Sequence, residues 1–231
     1  MPKWIAVSER AVNEALRFET KTDRRLRERL RKEGLTEEWF LAFGRPNTGY
    51  GVARTLRRAT RGDALRLIQD SLIRPLLSAN SATPDPGLVD RVAAEVRDAE
   101  YTPLRRTPVS AVSKIAALTR PDVFVPYDSF ARDTLAEAGY GKREPSYTIY
   151  HQNFLKAFNN AKSALVQRCA SERTRELARD SGVDPAILRD DWFLRRMFDW
   201  ELWLRGSRKK KARVDVSTTP AACVHTRVTR G

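Results

Sequence analysis

Residues 110–135 read SAVSKIAALTRPDVFVPYDSFARDTL. A short helix carrying Lys114 runs into Pro121, which lacks an N–H and pushes the residue before it away from helical geometry. An apolar turn follows (Val123, Phe124, Val125, Pro126), too short and too proline-broken to be a strand. It delivers Tyr127 and Asp128 to the start of a second helix bearing Arg132. An Asp at that place accepts hydrogen bonds from the first exposed N–H groups. Helix, apolar turn and capped helix form one unit, and nothing around it adds a period-2 strand series. The fold expected is all-α.

Working outward, Ala11, Val12, Ala15, Leu16, Leu26 and Leu30 recur at helical spacing between Ser8 and Arg31. The charged stretch KTDRRLRERLRKE reads as a solvated helix face or as a DNA-contacting one. Thr36 caps the next helix. Gly44 to Gly51 is a glycine-rich loop, and Val52 to Leu77 reads as helix, with a break near Gly62. Residues 78–87, SANSATPDPG, are the clearest internal linker and mark a lobe boundary. A helix is expected over Leu88–Ala99, another over Tyr147–Ala178, and a third over Asp184–Arg205. In the last, Trp192, Phe193, Met197, Trp200, Leu202 and Trp203 read as core. The division is a helical domain over residues 1–205 and a flexible basic tail over 206–231.

With 231 residues and 41% hydrophobic content, the chain is long and apolar enough for a substantial core. No run approaches the ~20 apolar residues of a membrane span, and the charged amphipathic start has no secretory apolar region. A cytoplasmic protein without membrane attachment is expected. Two cysteines (Cys169, Cys223) and two histidines (His151, His225) show no CxxC or HxxxH spacing. No metal and no cofactor are therefore expected, and His151 reads as a partly buried polar residue. Neither a phosphate-cradling glycine motif nor a Ser/His/Asp arrangement is present. The net charge is +14; the segment from Gly206 holds seven Lys or Arg against one Asp, so it supplies +6 and leaves +8 on the body. A body this basic suits a polyanion, because neutralising phosphates releases condensed counterions.

The segment resembles the helix-hairpin-helix superfamily of DNA glycosylases, most nearly its small alkylpurine-type members. Thr107-Pro-Val-Ser-Ala-Val-Ser-Lys114 falls where that family has its hairpin, with Ser110 to Ser113 in place of the glycines. Pro126-Tyr-Asp-Ser-Phe-Ala-Arg132 looks like its aspartate segment. The resemblance covers about 35 of the 231 residues. It implies a two-lobed helical fold around a central cleft, a catalytic Asp128, and support from Arg132 and Lys114. It also implies a monomer acting on duplex DNA with one base flipped out, in repair or in defence against modified phage DNA. A carboxylate suits that chemistry, since breaking the bond from deoxyribose C1′ to a base develops positive charge on the sugar. Lys114 matches the lysine that is a nucleophile in bifunctional members. It stands about one helical turn nearer to Asp128 in sequence, so a phosphate contact and monofunctional hydrolysis are expected instead.

A flipped base is held by stacking, and Tyr127, Tyr50 and Trp39 are the expected pocket residues. Ser110, Ser113, Lys114, Arg54, Arg57, Arg58 and Arg61 are the expected DNA contacts, the four arginines starting the helix after the glycine-rich loop. Two other readings stay open. One is a non-catalytic helical DNA-binding or regulatory protein in which Asp128 is only a cap; the other is an RNA-binding helical module.

Overall fold

The computed structural model describes residues 6–44, 50–52, 54–78 and 85–217, with side chains to residue 209. Every regular element among them is helical, so the chain is all-α. Helix α1 (Glu9–Phe18) continues through a π-helical turn, Glu19–Asp23, into α2 (Arg24–Glu33). Then come α3 (Glu37–Gly44), α4 (Arg61–Ile68), a second π turn (Gln69–Ile73), α5 (Arg74–Ser78) and α6 (Gly87–Asp98). The order ends with α7 (Val109–Thr119), α8 (Ser129–Glu137), α9 (Tyr147–Ala170), α10 (Glu172–Asp180) and α11 (Asp191–Ser217).

Ser8 caps α1 by accepting from the Ala11 N–H, and the stripe Ala11, Val12, Ala15, Leu16 and Phe18 is buried as its spacing requires. The π turn adds a residue to the helical repeat and rotates α2 about its axis relative to α1. In consequence Glu19 and Asp23 are each only 3% exposed. That corrects the solvated-face reading for Asp23, which points inward; helix spacing alone does not foresee a change of pitch.

Several boundaries differ from expectation. Residues 54–60 are turns, so the helix expected from Val52 starts only at Arg61, and Gly62 lies inside it. The helix expected over Tyr147–Ala178 ends at Ala170, where extended Ser171 accepts from the Thr174 N–H and caps α10. A 3-10 turn over Pro185–Arg189 precedes α11, which runs to Ser217. The first residues of the expected flexible tail are therefore helical, while 218–231 lie outside the described residues. So do positions 45–49 of the glycine-rich loop and 79–84 of the expected lobe boundary.

Helix α7 is the centre of the core. All its residues but Ser110 are buried, with α2, α5, α6 and the second π turn packed around it. On the other side α11 lies along α8 and α1 and touches α9. Gly206 lets α11 approach closely: a Cβ there would stand 2.5 Å from the Phe130 carbonyl oxygen. Trp192 and Trp203, also expected in the core, are only partly buried; Phe193, Met197 and Leu202 are fully buried, as their density predicts, and so is Phe198. Each such side chain contributes ~1.5–3 kcal/mol of burial, so α11 is held firmly where its polar residues meet α7.

Candidate active site: a charge cluster between α7 and α11

The connection from α7 to α8 has no backbone ladder to satisfy it, and side chains take that part. Tyr147, Tyr150 and His151 share one face of α9 through i, i+3 and i+4 spacing. The Tyr147 hydroxyl donates to the Val125 carbonyl at 2.9 Å and accepts from the Val125 N–H at 3.1 Å. Tyr150 donates to the Pro126 carbonyl at 3.0 Å, and His151 Nε2 lies 2.9 Å from the Val123 carbonyl. Burial holds the His151 pKa below the usual imidazole range, so a neutral ring donates here. From α7, Ser110 Oγ donates to the Tyr127 carbonyl and Ser113 Oγ accepts from the Tyr127 N–H. Five side chains on two helices thus fix the backbone immediately before Asp128.

Asp128 is extended (φ −136°, ψ 141°) and caps α8, Oδ1 accepting from the Phe130 N–H at 2.9 Å. Its other oxygen, Oδ2, faces Lys114 Nζ at 3.6 Å. One carboxylate therefore caps a helix with one oxygen and meets a cation with the other. Lys114 is 7% exposed and also donates to the Tyr50 carbonyl at 3.2 Å. Burial pulls its pKa below the ordinary lysine value, opposed by Asp128 and Asp199.

Helix α11 adds the second half. Arg196 donates to Asp23 Oδ2 through Nη2 (3.0 Å) and Nε (3.2 Å), to the Tyr50 hydroxyl (2.8 Å), and through Nη1 to Asp199 Oδ2 (2.9 Å). Tyr50 in turn donates to Asp23 Oδ1 at 2.8 Å. Burial works against the Arg196 charge, but Asp23, Tyr50 and Asp199 outweigh it and hold the guanidinium protonated. Its carbon lies 5.5–6.0 Å from the ring centres of Trp200, Tyr50 and Phe18, a cation–π cage. Because Arg196 is already committed to Asp23, only part of its charge serves Asp199. Burial wins there: Asp199, 6% exposed, is pushed up to about 7.

These groups line one pocket. Its walls are Lys114, Asp128 and Pro126 on one side, Arg196, Asp199, Trp200 and Trp203 on the other, with Phe18 and Tyr50 between. The pocket is open to solvent on one side. The wall of Tyr50, Pro126 and Arg196 separates it from a second pocket bearing Arg27, Trp192 and Arg195. Among the described residues, no group of three His, Cys, Asp or Glu side chains is arranged to hold a metal ion.

Of the residues expected from sequence, Asp128, Lys114 and Tyr50 converge at this pocket. Lys114 is not on the surface where a phosphate contact would put it; its ammonium faces Asp128 inside. Trp39 is core: fully buried, stacked on Phe43, with its indole N–H donating to the Leu26 carbonyl. Tyr127 packs edge-on against Tyr150 and its hydroxyl accepts from Arg132, which pairs with Asp133. Arg132 thus positions Tyr127 and does not line the pocket. Ser110 and Ser113 lie within α7; Ser110 donates its hydroxyl proton to the Tyr127 carbonyl and Ser113 donates its own to the Ser110 carbonyl, so both protons are engaged away from a phosphate. Arg61 is 9% exposed and paired with Glu37 at 2.9 Å. Arg54, Arg57 and Arg58 are exposed but precede α4 instead of starting it.

The sequence reading missed Asp23, Arg196, Asp199 and Phe18, and took Trp200 and Trp203 only as core. One signal was available: Arg196 and Asp199, one turn apart, stand among the apolar and aromatic residues of positions 192–204, and charges so placed are buried only when paired. The left-handed backbone of the α6–α7 connection was also unforeseen. It falls on Glu100 (φ 59°), Leu104 (φ 54°) and Arg105 (φ 49°), none of them glycine. Residues 103–107 of this turn are exposed. Arg57 anchors it, donating from its backbone to Tyr101 and from Nε to Thr102. Arg54, Arg57, Arg58, Arg105 and Arg106 therefore share one neighbourhood beside the start of α7. No helix among the described residues is long and apolar enough to cross a membrane. No family model, curated protein or solved structure matches the chain.

Proposed function

We propose that this chain is a DNA glycosylase, hydrolysing the bond between deoxyribose and a damaged or modified base in repair or in defence against modified phage DNA. The observation that carries the reading is the meeting of Asp128 and Lys114 at 3.6 Å in a pocket walled by Phe18, Tyr50, Trp200 and Trp203. Aromatic walls suit a flipped base, and a carboxylate held rigidly beside them suits a developing sugar cation. The two-lobed cleft of helix-hairpin-helix glycosylases is the finer fold reading, with α7 and α11 as its facing walls. The exposed arginines around Arg57 and the +8 of the body would hold duplex DNA over the mouth.

A second reading of the chemistry has its own support. Lys114 is desolvated, and desolvation favours the neutral amine that attacks C1′ in lyase reactions. Burial beside Asp128 makes this a stronger rival to plain hydrolysis than a surface lysine would be.

The test is base release from alkylated DNA and from phage DNAs with modified bases. Asp128→Asn keeps the cap on Phe130 and removes the charge facing Lys114. Excision should fall at least ~10²-fold with DNA affinity little changed. Hydrolysis leaves an intact abasic strand and nothing for borohydride to trap; a trapped adduct that vanishes in Lys114→Ala assigns the lyase route. Tight DNA binding without base release from any of these substrates would reject the enzyme in favour of a helical DNA-binding protein.

A further inference from the structure

Asp199 is a buried titratable group to which base excision by Asp128 and Lys114 gives no task. It comes from α11, lines the same pocket as Lys114 and Asp128, and is anchored through Oδ2 to Arg196. Its other oxygen makes no hydrogen bond among the described residues. The next residue, Trp200, lines the same pocket, and its buried indole N–H also lacks a hydrogen-bond partner among the described residues. We propose that Asp199 is the acid of this site, presenting a carboxyl proton to an acceptor nitrogen of a neutral heteroaromatic base while Asp128 serves the sugar. The inference rests on the base-excision reading and deepens it by naming the substrate class.

The surroundings favour a protonated Asp199. Counted at full ionisation, Asp23, Asp128 and Asp199 outnumber Lys114 and Arg196 by one. The groups facing it are Arg196 on its own helix, Lys114 on α7, Asp128 at the head of α8, and the neutral phenols of Tyr50 and, on α9, Tyr147 and Tyr150. Asp23 is joined to it through their shared Arg196. A single proton on Asp199 balances the cluster, in accord with its titration near 7. Two carboxyls whose surroundings differ in this way are the arrangement in which one acts as acid and the other as charge.

The step balances. As the bond from C1′ to the base nitrogen breaks, its electron pair stays with the base, and the Asp199 proton moves to an acceptor nitrogen of that base. Water forms the new bond to C1′ and gives a proton to Asp128. Both carboxyls then return to their starting states by exchange with solvent.

The experiment compares release of hypoxanthine, neutral in DNA, with release of 7-methylguanine, whose ring is already cationic while bonded to the sugar and needs no donated proton. Asp199→Asn keeps the size of the side chain and an acceptor for Arg196. The variant should lose at least ~10²-fold on hypoxanthine and less than ~10-fold on 7-methylguanine. In wild-type protein the hypoxanthine rate should fall above neutral pH through one deprotonation that the 7-methylguanine rate does not show, a readout that stands even if the variant folds poorly. Carbon-13 titration of the Asp carboxyls should show one titrating near neutrality and missing from the variant. Equal losses on both substrates, or no carboxyl titrating near neutrality, would overturn the proposal while leaving base excision intact. Absence of base release by wild-type protein from either DNA would overturn the excision reading and the donor role with it.

Discussion

Asp199 makes the stability of the whole chain depend on pH in a direction opposite to that of most carboxylates. In an unfolded chain it ionises near 3.8; in the fold it holds its proton up to about 7. Below about pH 4 both states are protonated and the full stability is present. Between about 4 and 7 the unfolded chain releases a proton that the folded chain keeps, so stability falls as pH rises. A gap of roughly three pH units at ~1.36 kcal/mol each amounts to about 4 kcal/mol, and at 6% exposure solvent screens little of it. The assay is urea unfolding of wild type and Asp199→Asn from about pH 5 to pH 8, reading the difference between the two at each pH. That difference cancels the carboxylates far from the cluster, whose contributions are independent. The variant should gain on wild type by ~1 kcal/mol per pH unit up to neutrality and then level off. A difference that stays constant across this range would refute the buried, protonated Asp199 and the charge balance built on it.

Other parts of the fold give two more expected outcomes. Gly206→Ala places a Cβ 2.5 Å from the Phe130 carbonyl oxygen, so the variant should lose about 1–3 kcal/mol in thermal or urea unfolding; an unchanged midpoint would mean that α11 and α8 are not in that contact. Replacing Arg54, Arg58 and Arg106 with Ala, while sparing the structural Arg57, should lower the slope of log affinity for DNA against log salt by up to ~3 and leave unfolding unchanged; an unchanged slope would move the DNA contact elsewhere.

The parts legible in the sequence are those whose cause is local. Pro121 ends α7, Asp128 opens α8, and the apolar stripe of α1 is buried, because a proline, a cap and a helical period act within a few residues. Lys114 and Asp128 were each singled out through a resemblance to a known motif, Lys114 as a phosphate contact; the structure turns its ammonium to Asp128 instead. The features that escaped depend on pitch and on distant partners. The π turn at Glu19–Asp23 turns Asp23 inward, and no propensity marks it. Ser171 divides α9 from α10 although the apolar spacing runs on through it. Ser110 and Ser113 looked available to phosphate until the α7–α8 connection, having no strand partner, claimed both hydroxyls.

The buried charges show why the second half of the site stayed hidden. Arg196 and Asp199 could be recognised as a pair in an apolar run, but a pair alone predicts a neutral, structural ion bridge. Its meaning is changed by Asp23, 173 positions away from Arg196 in the chain, which takes two of the guanidinium's N–H groups. A shared arginine cannot fully neutralise two carboxylates, so the one nearer to Lys114 and Asp128 keeps its proton. The chemical character of Asp199 is thus decided by the docking of α1 and the π turn that follows it on α11, the contact that also closes the pocket around Phe18 and Trp200. A residue's role as acid, anion or cap is set by how its partners are divided, and that division exists only after the helices have packed.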